Sequence, residues 1–341
     1  MKYYYVFILF FVFNIYSFFA NDYIINSFDN HNIYGTLINS NNTNSNLAII
    51  ISGSGPTDRN GNNTSLKSNY LKMLAEGLQQ NGISTFRYDK RGVGKSVGDL
   101  KGSNEIKFSD YINDVISIIK HFKDLKKFRE VVVIGHSEGA LIGMIASQSI
   151  ADRFISVAGA GEDYLTLIER QLSIQPPFVR SMAEPILEKL KNKKLVDSVP
   201  PLLNSLFRAD VQSYLIDASS YDPSVEISKL NMPILIIQGS TDIQIEVSDA
   251  LILHKAAKNS RLEIIDGMNH VFRQASDNRL LNLQTYGNPD LPIDNSMVSL
   301  VSEFIIKKKK YSCIKGNCLS NLSLIHISEP TRRRGISYAV V

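Results

Sequence analysis

Cysteine and tryptophan are scarce in this chain, which has two cysteines and no tryptophan among its 341 residues. Cys313 and Cys318 both lie near the C-terminal end, so they supply neither a disulfide framework nor a metal site with neighbouring histidines. We therefore predict no metal and no organic cofactor. A strong charge imbalance is also missing, because 37 basic residues face 33 acidic ones. This balance gives little support for nucleic acid as a partner.

The first 20 residues are predicted to be a secretory signal peptide. Lys2 is the only charged residue before Asp22, and residues 6–13 form an unbroken apolar run that leads to the letters SFFA at 17–20. Cleavage near residue 20 would deliver a secreted or periplasmic protein. Phe18 stands where cleavage sites usually have a small residue. The alternative is therefore an uncleaved membrane anchor, which is the one route by which we expect membrane contact.

The C-terminal end has an unusual pattern. Residues 322–332 read LSLIHISEPTR, which resembles translated read-through of a transposase sequencing adapter, and residues 336–340 read ISYAV, which resembles the adapter after an index. We interpret residues 322–341 as an assembly artefact that follows a tail at 311–321. The artefact carries three arginines against one glutamate, so the formal net charge falls from +4 to +2 without it.

Between these ends, apolar strands alternate with amphipathic helices. Strands are predicted at 23–27, 33–37, 47–51, 83–88, 131–134, 154–158, 232–239 and 261–265. Helices between them are predicted at 66–80, 111–122, 140–150, 249–257 and 296–306. This alternation indicates the α/β class, with a mostly parallel sheet covered by helices on both faces. The active site is then expected at the carboxyl ends of the strands.

The alternation breaks between residues 160 and 228. Helical patterns separated by Pro176-Pro177 and Pro200-Pro201 predict a helical cap inserted between core segments 21–159 and 229–310. The patterns cover 164–172, 183–190, 199–207 and 211–216. The leucines and phenylalanines of the cap favour an apolar wall around an acyl group. In an alternative interpretation, Glu162, Asp163 and Glu169 bind a substrate amine, although solvated helix charges explain them as well.

One strand-to-helix turn carries the candidate nucleophile. Residues 135–139 read GHSEG between an apolar strand and an apolar helix, which places Ser137 on a sharp turn with the spacing G-x-S-x-G. Side chains at the two glycine positions would collide with the neighbouring strand and helix. A serine hydroxyl is a weak nucleophile alone, so Ser137 needs a base within hydrogen-bond reach.

Further motifs lie after and before this turn, and their order along the chain is informative. The set GHSEG at 135–139, QGSTD at 238–242 and GMNH at 267–270 resembles the α/β-hydrolase superfamily, whose catalytic order is serine, acid, histidine. SGSGPTDRNG at 52–61 and FRYDKRGVGKS at 86–96 are similar to the same superfamily, in its bacterial esterase, lysophospholipase-like and serine-aminopeptidase-like branch. The resemblance covers residues 23–307. It implies an α/β-hydrolase fold with a helical cap.

The resemblance also implies a triad. Ser137 would be the nucleophile, His270 its base, and Asp242 the acid that holds the imidazole in the right tautomer. Asp266 competes for the acid role because it is close to His270 in sequence. His136 is expected to point away from the site, since the turn is sharp.

Two backbone N–H groups would complete the site as an oxyanion hole. One belongs to Glu138, directly after the nucleophile, and the other is placed at Ser54 by the resemblance. Many relatives have His-Gly where this chain has Ser52-Gly53, so the second donor stays open among Gly53, Ser54 and Gly55. The side chain of Glu138 is expected to suit the N-terminus of the helix rather than touch substrate.

A phosphate-binding loop is suggested by Gly94-Lys95-Ser96 but does not fit. The pattern G-x-x-x-x-G-K-[ST] needs a glycine where this chain has Asp89. Nucleotide binding is therefore rejected, and Asp89 and Arg91 are predicted to be a structural pair that holds the loop.

The expected function is a secreted serine hydrolase that cleaves carboxylic esters of small-molecule substrates through an acyl-enzyme. Two alternatives keep the triad, namely a peptidase or amidase and an acyltransferase. A third alternative is a non-catalytic binding protein on the same fold. The sequence leaves the oligomeric state open.

Overall fold

A computed structural model describes residues 21–98, 106–307, 313–314 and 317–318. The predicted signal peptide and the adapter-like segment lie outside these residues. Within them, no helix combines the length and the apolar character needed to cross a membrane. Cys313–Ile314 and Asn317–Cys318 form a small antiparallel strand pair, β9 and β10, in a separate C-terminal unit.

The main unit is built on one sheet of eight strands. They are β1 Asn21–Asn26, β2 Asn32–Ile38, β3 Leu47–Ile51, β4 Ser84–Tyr88, β5 Val131–His136, β6 Arg153–Val157, β7 Ile234–Gly239 and β8 Ser260–Ile265. Their order across the sheet is β1-β2-β4-β3-β5-β6-β7-β8. The first two strands form the predicted hairpin, β2 runs antiparallel to β4, and all later neighbours are parallel. The predicted α/β class with a mostly parallel sheet is confirmed.

Helices of the sheet layers cover both faces. They are α1 Tyr70–Gln80, α2 Phe108–Asp124, α3 Glu138–Ala146, α9 Val247–Ala256, α10 Arg279–Tyr286 and α11 Asn295–Ile306. Successive side chains of a strand point to opposite faces, so β3 contributes Leu47, Ile49 and Ile51 to one apolar cluster with α2 and α3. Its Ala48 and Ile50 enter a second cluster with α1 and α11. The central strands are buried on both sides.

Five helices lie between β6 and β7, where the insertion is predicted. They are α4 Tyr164–Ser173, α5 Pro177–Lys191, α6 Asn204–Phe207, α7 Ala209–Ala218 and α8 Pro223–Ser228. Leucine, isoleucine and phenylalanine side chains from α4 to α7 form an apolar cluster of their own. This helical insertion therefore has its own small core while it remains part of the main unit.

Several helix bounds differ from the predicted ones. Helix α5 begins six residues before the predicted start, because Pro177 occupies the first helical position, where its missing N–H costs nothing. Helix α1 begins at Tyr70 rather than at residue 66. The side-chain oxygen of Asn62 accepts hydrogen bonds from the N–H groups of Ser68 and Asn69, which holds that segment outside the helix. Helices α8 and α10 were not predicted.

Candidate active site

The turn between β5 and α3 holds Ser137 in a strained conformation. Its φ of 55° and ψ of −121° lie where residues with a side chain are rarely found. A Cβ on Gly135 would lie 2.2 Å from the carbonyl oxygen of Gly139, and one on Gly139 would lie 2.6 Å from that of Ile51. The two glycines are therefore required by close packing, as the sequence predicts, and the turn presents one serine.

Two of the predicted catalytic residues meet at the ends of neighbouring strands. Asp242 follows β7 and His270 follows β8, and Nδ1 of His270 lies 2.8 Å from Oδ2 of Asp242. The N–H groups of Gln244 and Ile245 donate to Oδ1 of the same carboxylate at 2.8 and 3.1 Å. The side chains of His270 and Asp242 are almost fully buried. This contact orients the imidazole and places the Nδ1 proton on the acid side, leaving Nε2 as the basic nitrogen.

The pKa of Asp242 reflects these contacts. Burial by itself raises the pKa, but the neighbouring His270 and the hydrogen bonds that the carboxylate accepts outweigh burial, so the pKa lies below its ordinary value. Asp242 is consequently an anion at neutral pH and can stabilise an imidazolium next to it.

The competing acid does not join this pair. Asp266 is exposed, and its Oδ1 accepts a hydrogen bond of 3.0 Å from the hydroxyl of Ser240. It therefore holds the turn between β8 and the loop of His270. In the described contacts, Asp242 and not Asp266 is the carboxylate against the imidazole.

The structure places His136 differently from the sequence expectation, because its ring packs against that of His270. The ring centroids of His136 and His270 are 4.7 Å apart, and Nε2 of His136 lies 2.9 Å from the carbonyl oxygen of His270. A carbonyl only accepts, so Nε2 carries the proton and Nδ1 accepts from the hydroxyl of Tyr70 at 3.1 Å. Burial holds the pKa of His136 well below its ordinary value, so it is neutral. Its side chain therefore stabilises the loop of His270 through this hydrogen bond and the packing of the two rings.

The loop after β3 lies directly against the nucleophile turn. A Cβ on Gly53 would be 3.2 Å from Cβ of Ser137 and 3.3 Å from Nδ1 of His136, so only glycine fits there without displacement. Ser54, the predicted second oxyanion donor, is exposed and lines the same cavity as Ser137 and Glu138. The loop is thus close enough to the serine to serve the predicted role.

A cavity of about 490 Å³ opens beside Ser137. The sheet side contributes Ser54, Lys90, Glu138 and Leu141, and the helical insertion contributes most of the opposite wall. That wall is mainly apolar and includes Leu167, Ile168, Leu206, Val211 and Leu215 together with the rings of Tyr164 and Tyr214. Its polar residues are Glu162, Gln171, Ser205, Arg208 and Asp210. A space of this size suits a small organic molecule with an apolar portion.

A buried charge pair beneath the site was not predicted. Lys90 Nζ lies 2.7 Å from Oε1 of Glu138 and donates at 2.7 Å to the carbonyl oxygen of Gly53. The hydroxyl of Tyr164 donates to Oε2 of Glu138 at 3.0 Å. The side chain of Glu138 is therefore occupied by a cation and a phenol rather than by the end of its helix. Lysine in a strand-end loop is usually solvated, so the sequence held no signal for this contact.

Other charged residues singled out in the sequence have structural partners. Asp89 pairs with Arg59 at 2.9 Å, and Arg91 pairs with Asp29 and Asp114 at 2.6 and 2.7 Å. The prediction that Asp89 and Arg91 pair with each other is therefore wrong, because the two side chains reach different neighbours. Both still hold the loop.

The acids at the start of the insertion are also engaged. Glu162 lies 3.3 Å from Arg170, and Glu169 lies 2.6 Å from Lys191. Asp163 accepts hydrogen bonds from the first N–H groups of α4 and is the N-cap of that helix. These contacts give each acid a role without a substrate amine.

Comparison with protein families yields a match over residues 66–274 to the family described as serine aminopeptidase, S33. The chain belongs to this family. The matched region includes Ser137, Asp242 and His270, so the S33 family assignment confirms the resemblance to α/β-hydrolases of the esterase and aminopeptidase-like branch. The Ser54 loop lies before the matched region.

Curated relatives of this S33 family member include enzymes named for ester substrates. The chain is 30% identical over 231 residues to Esterase EstD of Thermotoga maritima. The aligned region covers 65% of this chain and 53% of that protein. The chain thus spans about half the length of that relative. It is also 24% identical over 231 residues to a monoglyceride lipase homolog of Monkeypox virus, covering 60% of this chain and 77% of that protein.

Solved structures show the same fold. Est1E from Butyrivibrio proteoclasticus, solved with ferulic acid, has a TM-score of 0.54 at 19% identity and covers 83% of this chain and 96% of its own. An esterase of Pyrococcus furiosus has a TM-score of 0.55 at 18% identity and covers 85% and 90%. At these identities the likeness confirms the α/β-hydrolase fold.

Proposed function

We propose that this protein is a serine hydrolase that cleaves carboxylic esters of small molecules through an acyl-enzyme. The observation that carries the proposal is the His270–Asp242 hydrogen bond of 2.8 Å, at the same sheet edge as a serine on a strained strand-to-helix turn. A buried anionic acid, an oriented imidazole and a presented hydroxyl are the three parts that acyl transfer needs. The esterase relative and the S33 family match support the same reaction class.

In the proposed first half-reaction, the Ser137 hydroxyl attacks the ester carbonyl carbon while Nε2 of His270 accepts its proton. Asp242 stabilises the imidazolium that results. The backbone N–H groups of Glu138 and Ser54 donate to the oxygen that becomes negative in the tetrahedral intermediate. The carbon–oxygen bond to the alcohol then breaks, and His270 returns its proton to the leaving alcohol.

The second half-reaction repeats these roles with water. His270 removes a proton from a water molecule that attacks the acyl carbon, and the same two N–H groups hold the new oxyanion. Collapse breaks the bond to Ser137, which regains its proton, and releases a carboxylic acid. The apolar wall of the insertion would bind the acyl or alcohol portion and exclude bulk water.

Labelling and turnover with Ser137→Ala test this proposal. The wild-type protein should react with a fluorophosphonate probe and hydrolyse an aryl ester, whereas the variant should do neither while its melting temperature stays within a few degrees of wild type. Ser54→Ala, which retains its backbone N–H, is a matched serine-to-alanine control and should still be labelled. Undiminished hydrolysis by Ser137→Ala would refute the mechanism.

A substrate panel separates the ester reaction from its alternatives. Aryl esters of increasing acyl length, amino-acid amides and acyl acceptors should be compared at equal enzyme concentration. We expect esters to be favoured, because the acids of the alternative amine-binding interpretation are paired with Arg170 and Lys191 or cap a helix. A higher kcat/KM for amino-acid amides would favour the peptidase alternative instead.

We also propose that the enzyme acts outside the cytoplasm. The support is the apolar N-terminal segment, with one charge before Asp22. N-terminal sequencing of the protein from cell fractions tests this. A new N-terminus near residue 21 in the periplasm or medium supports secretion, whereas an intact N-terminus in the membrane fraction supports an anchor.

A further inference from the structure

Lys90 joins the two segments that hold the proposed oxyanion donors. It lies two residues after β4, and its side chain is 1% exposed. Its Nζ donates at 2.7 Å to the carbonyl oxygen of Gly53 and lies 2.7 Å from Oε1 of Glu138. Tyr164 donates to the other carboxylate oxygen. A single cation therefore ties the loop after β3 to the residue that follows the nucleophile.

Peptide geometry gives the contact with Gly53 a consequence for Ser54. The carbonyl of Gly53 and the N–H of Ser54 belong to one planar trans peptide, so they point in opposite directions. The hydrogen bond from Lys90 to the carbonyl of Gly53 therefore also fixes the N–H of Ser54, which points to the opposite side of the peptide. Glycine at 53 adds no side chain that restrains this peptide, and backbone rotation is easiest at glycine. The bond to Lys90 supplies the missing restraint.

The energetics of buried charges point to a role beyond stability. Desolvation of two buried ions offsets most of their attraction, and replacement of such pairs by apolar residues is often neutral or stabilising. A second buried cation, Arg153, lies at the opposite end of the sheet, where it pairs with Glu130 at 2.8 Å. Of these two cations, Lys90 has its charge next to the turn of Ser137 and Arg153 does not, so Arg153 serves as the control for Lys90.

We propose that Lys90 is a positioning residue that presets the Gly53–Ser54 peptide, so that the N–H of Ser54 is ready for the oxyanion. The carboxylate of Glu138 keeps Lys90 in place. This inference rests on the proposed ester cleavage at Ser137. It also resolves the choice among Gly53, Ser54 and Gly55, because the peptide held by Lys90 is the one that carries the N–H of Ser54.

The variant Lys90→Met tests this role, because positioning of an oxyanion donor should affect kcat and not KM. Loss of one oxyanion donor lowers kcat about 10²–10³-fold, and a donor that is misoriented rather than deleted should cost about 10–100-fold. KM should stay within about twofold, because the oxyanion exists only in the transition state. Affinity for a trifluoromethyl ketone, which forms a tetrahedral adduct on the serine, should fall by a similar factor as kcat.

Two further variants separate positioning from folding. Arg153→Met removes another buried cation, whose side chain is 6% exposed, and should lower the melting temperature while kcat stays within about twofold of wild type. Lys90→Met combined with Glu138→Met leaves no buried unpaired charge, so its melting temperature should recover towards wild type while kcat stays low. Should Lys90→Met alone fail to fold, the double variant carries the measurement.

The possible results are distinct. A folded Lys90→Met enzyme with wild-type kcat overturns the inference, and so does a double variant that regains kcat together with stability. Loss of kcat in both, with KM preserved and ketone affinity reduced, supports it. Wild-type protein that neither hydrolyses any ester nor reacts with a fluorophosphonate overturns the proposed function itself, and this is measured before any variant is compared.

Discussion

The strand-end loops and the helical insertion face each other across one cavity but are held in different ways. In the loops, each important side chain has directional partners, as in the contacts of Asp242 with His270 and of Lys90 with Gly53 and Glu138. In the insertion, the cavity wall is mainly apolar, and apolar side chains pack without preferred angles. Directional bonds fix atoms to within a fraction of an ångström, whereas apolar packing fixes volume. Changes in the loops should therefore alter rate, and changes in the insertion should alter selectivity.

The largest effect is expected from Asp242→Asn. An amide next to Nδ1 of His270 no longer stabilises the imidazolium and favours the wrong tautomer, so kcat should fall about 10³–10⁴-fold. Steady-state hydrolysis of an aryl ester measures this. Asp266→Asn is the matched control and should keep kcat within about threefold, since Asp266 bonds Ser240. Equal losses of kcat in the two variants would show that the rate does not depend specifically on the carboxylate of Asp242.

A change in the insertion should shift substrate preference instead. Leu167 is partly buried on the cavity wall, and Leu167→Ala would open space there. We expect the ratio of kcat/KM for long over short acyl esters to change about tenfold, the size of one or two methylene contacts. The control is Leu202→Ala on the exposed surface of the insertion, which should leave the ratio unaltered. A pure loss of kcat on every ester would contradict the division between the two regions.

The buried His136 should make the stability of the folded protein decrease at acidic pH. Its pKa is well below the ordinary value in the folded protein, so the unfolded chain binds a proton more readily. Stability is therefore complete above the unfolded pKa of about 6.5 and falls with decreasing pH, by up to about 1.4 kcal/mol per pH unit. Urea unfolding between pH 7 and pH 5 should show a shallower dependence for His136→Gln. An unchanged pH dependence in His136→Gln would contradict this account.

The smallest effect is expected at Glu169. Its pair with Lys191 lies on the surface of the insertion, and such pairs contribute about 0–1 kcal/mol. Glu169→Gln should change the free energy of unfolding by less than about 1 kcal/mol and leave KM for amino-acid amides unaltered. A rise of several-fold in that KM would show that the acid binds a substrate amine after all.

Much of the fold followed from local patterns. The eight predicted strands all occur, with bounds that differ by two residues at most. Short apolar runs between turn signals are typical of buried strands, which is why these predictions succeed. Helix starts were less accurate. Asn62 reaches across to Ser68 and Asn69 and delays α1, a contact that depends on a loop conformation rather than on periodicity.

The candidate site divides in the same way. Ser137, Asp242 and His270 were predictable because each stands at a strand end within a short motif. His136 was expected to point away, yet it lies under His270, because that contact joins residues 134 positions apart. Lys90 has no signal in the sequence for the same reason, since only the folded chain brings it between Gly53 and Glu138.

By itself, the sequence determined the α/β order, the serine turn with its two glycines, and the acid and histidine that follow it. The α/β order and the turn depend on apolar periodicity and on steric limits that act over a few residues. The acid and the histidine follow from the resemblance of their motifs to the α/β-hydrolase superfamily. Only the tertiary structure decided that Lys90 holds the Gly53 carbonyl and that the ring of His136 packs against His270. Such contacts arise where distant segments meet, and their geometry is set by the packing of the whole sheet.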